Sequence, residues 1–354
     1  MRRPFSLFLV LAFVVAACGA ESVDPTAPPT TEATPEAVLL SYRFEPGTEL
    51  RYEVRFDQHI MMSAAGESSA LGGEDVPGDA DLDVSGVTTF THSVEAGAEP
   101  GTYDVTIVGE FTDLELSGVV DGEPVEPGEF LDLAQIEPVE TTVTVDEQGN
   151  VLSSSDGEFG LGGELGGDLT GFGSMASPGM DMGSLVGPSL PEREVTVGDT
   201  WSETIENPAP FGGAAITTSV ESEVADTDTI DGVEVFVVET NSSTSMIEFD
   251  LRQMMIGFFE AFMTEEATAE ERAELAAMMD NLRFLVVIDP SAYSTTTWFD
   301  PAAGHSLRSE SAGVIHMTYD INFPDETSGE ITAFTMDMTM DQKVAYRLLS
   351  AGSA

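Results

Sequence analysis

Cysteine is almost absent. The 354 residues contain one, Cys18, so no disulfide can form within the chain. Basic residues are scarce too: 12 Lys and Arg stand against 64 Asp and Glu, for a net charge of −52, and Lys343 is the single lysine. A field of that sign repels nucleic acid, whose binding depends on Lys and Arg displacing counterions. It also disfavours docking onto an anionic lipid surface. The four histidines, His59, His92, His305 and His316, are too scattered for metal-ligand spacing. No nucleophile elbow, zinc signature or phosphate-binding loop occurs. "DADLD" (Asp79–Asp83) opens like a calcium loop, but Val84 and Phe90 occupy the positions that need glycine and glutamate. With 64 acids, a pair of carboxylates carries no specificity. The expectation is therefore a protein that is not an enzyme, has no cofactor or metal and binds no nucleic acid.

The features that are present begin at the front. A basic start, Met1-Arg2-Arg3, precedes a 13-residue apolar run, Phe5–Ala17. That is the layout of a signal peptide over residues 1–17, too short for a span, which needs about 20 apolar residues. The pattern Val15-Ala16-Ala17-Cys18-Gly19 resembles the bacterial lipobox. The resemblance implies a diacylglycerol on the Cys18 sulfur and cleavage just before it. The sole thiol then has a purpose, and the protein is expected on the extracytoplasmic side of the cell membrane, held by its lipid anchor. Residues 18–37 continue as a stretch rich in Pro, Thr and Glu with little to bury. Such a segment stays extended as a tether, reaching roughly 50 Å at about 3 Å per residue.

Period two dominates the rest. In "ELRYEVRFD" (Glu49–Asp57), Leu50, Tyr52, Val54 and Phe56 alternate with Arg51, Glu53, Arg55 and Asp57, which predicts a half-buried strand. "TYDVTIVG", "FTDLELSGV", "TTVTV", "VEVFVVE", "VIHMTYDI" and "TAFTMDMTM" read the same way, punctuated by Gly, Asp and Pro as in an antiparallel meander. Landmarks recur in two halves. "PGTELRYEV" pairs with "VGDTWSETI", "DGEPVEPG" with "DGVEVFVVET", and "TTVTVDEQGNVLSSS" with "TTTWFDPAAGHSLRSES". Gly47 to Gly149 spans 102 residues and Gly198 to Gly304 spans 106, a near-equal spacing that argues for duplication. The first β repeat is placed at 38–155, a Gly/Met-rich linker at 156–190, and the second repeat at 191–350. Met61–Asp81 reads as a flexible insertion. Apolar residues at helical spacing (Leu251, Met254, Met255, Phe258, Phe259, Phe262) and a capped continuation from Thr268 predict a helical hairpin at about 249–283.

The lipobox, the tether and the paired "PGTELRYEV" and "VGDTWSETI" halves together resemble a group of bacterial, actinobacterial lipoproteins. Each half is similar to the curved-sheet fold of periplasmic lipoprotein carriers and mycobacterial lipid-transport lipoproteins. The resemblance implies a mainly β (α+β) chain of two repeated antiparallel curved sheets, open half-barrels, with the helical hairpin inserted in the second. The function it implies is non-enzymatic binding of a hydrophobic ligand such as a lipid in a concave sheet. Tyr52, Val54 and Phe56 would form the wall, and Met254, Met255, Phe258, Phe259 and Phe262 the cover. The alternative is a structural or protein-interaction module of the cell envelope with a filled core.

Overall fold

Alternation decides which residues are buried. The computed structural model describes residues 37–66, 79–125, 138–154, 188–207, 215–250, 283–324 and 331–353, and every regular element among them is a strand. β1 (Val38–Leu39) leads the chain. A first meander follows: β2 (Thr48–Gly66), β3 (Asp79–Ala96), β4 (Thr102–Val120), β5 (Glu123–Pro124), β6 (Val139–Asp146) and β7 (Val151–Ser154). β8 (Glu194–Val195) pairs with β1 and precedes the second meander. That meander comprises β9 (Thr200–Asn207), β10 (Ile216–Ile230), β11 (Val233–Thr244), β12 (Ile247–Asp250), β13 (Arg283–Ile288), β14 (Ser291–Asp300), β15 (His305–Pro324) and β16 (Ile331–Ser353). In β2 the buried face is the one the sequence predicts: Leu50, Tyr52 and Val54 are buried, while Arg51 and Arg55 are exposed.

The expectation of one sheet per half is corrected. Both meanders belong to one antiparallel sheet, ordered β7-β6-β4-β3-β2-β16-β15-β14-β11-β10-β9. The seam is the β2–β16 pair, in register from Phe334↔Gly66 to Ser353↔Thr48 with one bulge between Leu348 and Ser350. Left apart, these strands of 19 and 23 residues would each present a long row of unpaired N–H and C=O groups. Joined, the order among the described residues ends in β7 and β9, of 4 and 8 residues. Such short edges offer little template for pairing with another chain.

Smaller boundaries also move. Met61–Gly66 and Asp79–Asp81, assigned to a flexible insertion, are strand, because β16 and β3 supply hydrogen-bonding partners that local composition does not announce. Pro188–Leu190, at the end of the expected linker, is tied in: Leu190 is buried, and its N–H donates to the Gln148 carbonyl at 3.0 Å. The helical hairpin falls almost wholly outside the described residues. Its described ends are strand: Phe249 and Asp250 close β12, Arg283 opens β13, and Asp250 pairs with Leu285. No helix occurs among the described residues. β11 and β12 form one strand interrupted at Ser245–Met246, opposite a matching break at Asp289–Pro290 between β13 and β14. Pro290 lacks the N–H that would continue the ladder.

A short strap then forces curvature. Residues 40–44 alternate, burying Leu40, Tyr42 and Phe44. The Tyr42 N–H donates to Glu147 at 2.8 Å, in the β6–β7 turn, and the Arg43 N–H to Gly304 at 3.0 Å, in the β14–β15 turn. In a flat sheet those turns would be at least five strand spacings, about 24 Å, apart. Neighbouring Cα atoms are about 3.8 Å apart, so the two carbonyls lie within about 10 Å of each other. The sheet must therefore curl to bring them together. Tyr42 stacks on Phe44 with ring centroids 5.4 Å apart, meets Phe299 edge-on at 5.4 Å, and donates its hydroxyl to Pro188 at 2.9 Å. One apolar cluster consequently joins Val105, Val143 and Val145 of the first meander to Val224, Val238 and Phe299 of the second.

The turns that the sequence pairs have like geometry. Gly47 and Gly198 have φ of 87° and 90°, and each donates its N–H to the neighbouring strand, at Val94 and Val224. The two Asp-Gly turns do not correspond in position, since Asp121–Gly122 joins β4 to β5 and Asp231–Gly232 joins β10 to β11.

If the strap sets the curl, Tyr42→Ala should cost about 3–5 kcal/mol in urea unfolding, as large aromatic truncations do. Tyr42→Phe, which loses one hydrogen bond, should cost about 1 kcal/mol. Equal, small effects would contradict the assignment.

Candidate functional site: the uncharged inner face of the sheet

The curl gives the sheet an inner and an outer face, and charge is sorted between them by strand parity. Even positions of β2 from Leu50 to Ala64 face inward, as do even positions of β16 from Phe334 to Tyr346. Odd positions of β14 from Ser291 to Phe299 and of β15 from Ser309 to Ile321 pair with them on the same face. None of these inner positions carries a charged residue. The outer positions hold the charges, including Glu53, which accepts from Arg55 at 3.0 Å and from Arg347 at 3.1 Å. Burying an unpaired charge costs far more than burying an apolar group, so this sorting is what a long desolvated face demands.

Along that face, three zones succeed one another from the strap outward. Nearest the strap lies a polar knot. Tyr52 donates its hydroxyl to the Ser306 carbonyl at 3.3 Å and packs on His92 with ring centroids 4.9 Å apart. The His92 Nε2 is buried with no hydrogen-bond partner, and burial pushes its pKa down to about 4. Burial likewise raises the Tyr52 and Tyr42 hydroxyls above the ordinary tyrosine range.

A belt of hydroxyls follows. Ser222 bonds to Thr240 at 3.0 Å, Thr295 to Ser311 at 3.0 Å, and Thr297 to Ser309 at 3.1 Å, each a cross-strand pair on one face. Beyond them Gln342 is 2 % exposed, and neither its Oε1 nor its Nε2 has a hydrogen-bond partner. Its neighbours in register are Gly313 on β15 and Gln58 on β2. The Tyr293 ring lies against Gly313, where any side chain would collide with it. Its buried hydroxyl is also unpartnered, and burial raises its pKa. Phe56 uses the same device over Gly86, where an added Cβ would meet the ring at 2.6 Å.

The third zone is apolar. Ile315, Met317, Tyr319 and Ile321 of β15 pack with Phe334, Met338 and Met340 of β16 and with Val286 and Ile288 of β13. Three methionines of β16 or its neighbours thus share one buried surface, and flexible, polarizable methionine adapts to varied apolar shapes. Among the described residues one hollow of about 360 Å³ is lined by Ser219, Asn241, Ser294 and Tyr293, and one of about 260 Å³ lies beside the strap at Arg43, Phe44 and His305; Gln342 lines neither.

Of the residues singled out from sequence, Tyr52, Val54 and Phe56 share the inner face of β2. Tyr52 is engaged in the knot, Val54 is fully buried, and Phe56 covers Gly86. Met254, Met255, Phe258, Phe259 and Phe262 lie outside the described residues, in the 251–282 connection from β12 to β13, and Cys18 lies outside them as well. Sequence reasoning missed Gln342 and Tyr293. The signal was available: in "FTMDMTMDQKVAY" the inward series Phe, Met, Met, Met, Gln, Val, Tyr has one polar intruder.

No protein-family model matches the chain, and no curated protein does. Among solved structures, one described as "Lipid-protein interactions in lipovitellin" is 12% identical with a TM-score of 0.40, and the match covers 88% of this chain and 26% of that one. This chain therefore spans about a quarter of that chain's length. The outer membrane protein OprG from Pseudomonas aeruginosa is 6% identical with a TM-score of 0.19, covering 88% of this chain and 100% of that one. At these scores neither likeness bears on function.

His92 gives a pH prediction. It is neutral when folded, with a pKa of about 4, whereas an unfolded histidine titrates near 6.5. As pH falls below about 6.5 the unfolded state takes up the proton first, so stability is lost progressively until about pH 4. Relative to His92→Leu, the parent should lose roughly 3 kcal/mol between pH 7 and 4 in urea unfolding. A difference independent of pH would contradict the buried, neutral state.

Proposed function

We propose that the chain is a non-enzymatic, extracytoplasmic lipoprotein, anchored by acyl chains on Cys18, that holds an apolar ligand against the inner face of its curled sheet. The observation that carries the reading is the uncharged, methionine-bearing inner surface around Met317, Met338 and Met340. The first part rests on the sole cysteine, its lipobox-like setting and the tether behind it. Matching turns at Gly47 and Gly198 support reading the two meanders as repeats of one unit. On this reading the sheet is the counterpart of two curved sheets of lipid-carrying lipoproteins, joined into one.

A second reading, a structural module with a filled core, is favoured by one observation. Met317, Met338 and Met340 are already buried, and the open hollows lie elsewhere. Uptake of N-phenyl-1-naphthylamine, followed by fluorescence, together with native mass spectrometry of gently purified protein separates the two. The carrier reading expects saturable uptake and a copurifying lipid mass. A clean protein mass with no uptake rejects it.

For the anchor, Cys18→Ala should release the protein or leave it unprocessed, as seen by membrane fractionation. Unchanged, processed and membrane-retained protein would refute lipidation.

A further inference from the structure

The inner face specifies the ligand's polar group as well as its apolar part. Gln342 stands at the boundary between the hydroxyl belt and the methionine zone, in register with Gly313, and the Tyr293 ring lies over that glycine. Three polar atoms there are buried and unpartnered: Oε1 and Nε2 of Gln342 and the hydroxyl of Tyr293. An unsatisfied buried amide is costly, and an apolar residue of similar size would remove that cost without disturbing the strand. The flanking inner positions, Val344 and Met340, are apolar. The one polar neighbour of Gln342 in register is Gln58 of β2, and the packing leaves the Gln342 amide unsatisfied.

The chemistry of the group that would satisfy these atoms is constrained. Gln342 offers one acceptor and two donors, and Tyr293 adds a donor. Their complement is a carbonyl that accepts and a hydroxyl that donates. Among the described residues no inner position of β2, β14, β15 or β16 carries a cation to pair with a carboxylate or phosphate, which favours an uncharged group. Resting on the carrier reading above, we infer that this row of the sheet is the head-group site for a neutral acylglycerol. The ester carbonyl accepts from Gln342 Nε2 and the Tyr293 hydroxyl, the free hydroxyl of the glycerol donates to Gln342 Oε1, and the acyl chains run along Met340, Met338 and Met317.

Competition against bound N-phenyl-1-naphthylamine tests this in the purified chain at pH 8, with 1,2-dioleoylglycerol, oleate and dioleoylphosphatidylglycerol as competitors. Dioleoylglycerol should displace the probe, and the two charged lipids should be at least about tenfold weaker. Gln342→Leu should raise or preserve the melting temperature, keep probe uptake, and weaken dioleoylglycerol about tenfold or more, the loss expected for a hydrogen-bonded pair in a dry site. Tyr293→Phe, which removes one oxygen, should weaken it by a smaller factor and covers the case in which Gln342→Leu fails to fold. Probe uptake with no preference for dioleoylglycerol, or unchanged affinity in both variants, overturns this inference and leaves the carrier reading standing. A lower melting temperature for Gln342→Leu with unchanged affinity shows a structural glutamine and also overturns it. No probe uptake at all sinks both.

Discussion

Two consecutive backbone N–H groups, those of Tyr42 and Arg43, tie two distant turns of the sheet together. One is bonded to a turn of the first meander and the other to a turn of the second. A β-sheet eleven strand positions wide has no intrinsic reason to close one end, although twist favours coiling. Bridging turns about 24 Å apart in the flat arrangement requires the sheet to bend. Everything inside follows from that bend. Once one face is enclosed, charge is confined to the other, which suits a chain with a net charge of −52. The aromatic rings of Phe56 and Tyr293 lie flat over glycines on the neighbouring strand, filling the inner surface without lengthening the path around it.

The same bend makes the inner face uneven. Close to the strap, side chains from both meanders converge into one packed apolar cluster. Farther along the strands the apolar surface is built from β13, β15 and β16, with hydroxyl pairs and Gln342 between the two zones. Under the carrier reading, stability and binding fall at opposite ends of the same strands. The polar groups between them are of two kinds. Hydroxyls such as Thr295 and Ser311 satisfy each other, whereas those of Ser291 and Tyr293 and the amide of Gln342 do not. That contrast within one belt is the reason for treating Gln342 and Tyr293 as a site.

How much of this was legible depended on the range of the interaction. Alternation in "ELRYEVRFD" placed Leu50, Tyr52 and Val54 inside, and the same rule read correctly along β16, because side-chain direction in a strand is a local property. The seam was not legible. Pairing Thr48 with Ser353 joins positions at opposite ends of the sequence, and nothing near either residue distinguishes a seam strand from an edge. The strap was visible as Leu40, Tyr42 and Phe44, yet it abuts a Pro/Thr-rich stretch and makes few strand bonds, so its role needs the turns it reaches. At Phe249 and Asp250 a helical spacing competed with strand pairing to β13, and pairing prevailed. Of the site, Tyr52, Val54 and Phe56 were placed on the right face, but Gln342 was overlooked because the pattern was read for apolar residues alone.

The central claim is that the inner face, and not the charged outer one, meets an apolar ligand. Parity along β16 makes it directly measurable. A neutral acylglycerol bearing a diazirine in its acyl chain, photolysed on the protein and mapped by mass spectrometry, should label Met317, Met338 and Met340. It should spare the outward residues of β16, Asp337, Thr339 and Lys343. Labelling of those outward positions, or of inward and outward positions alike, would contradict the account.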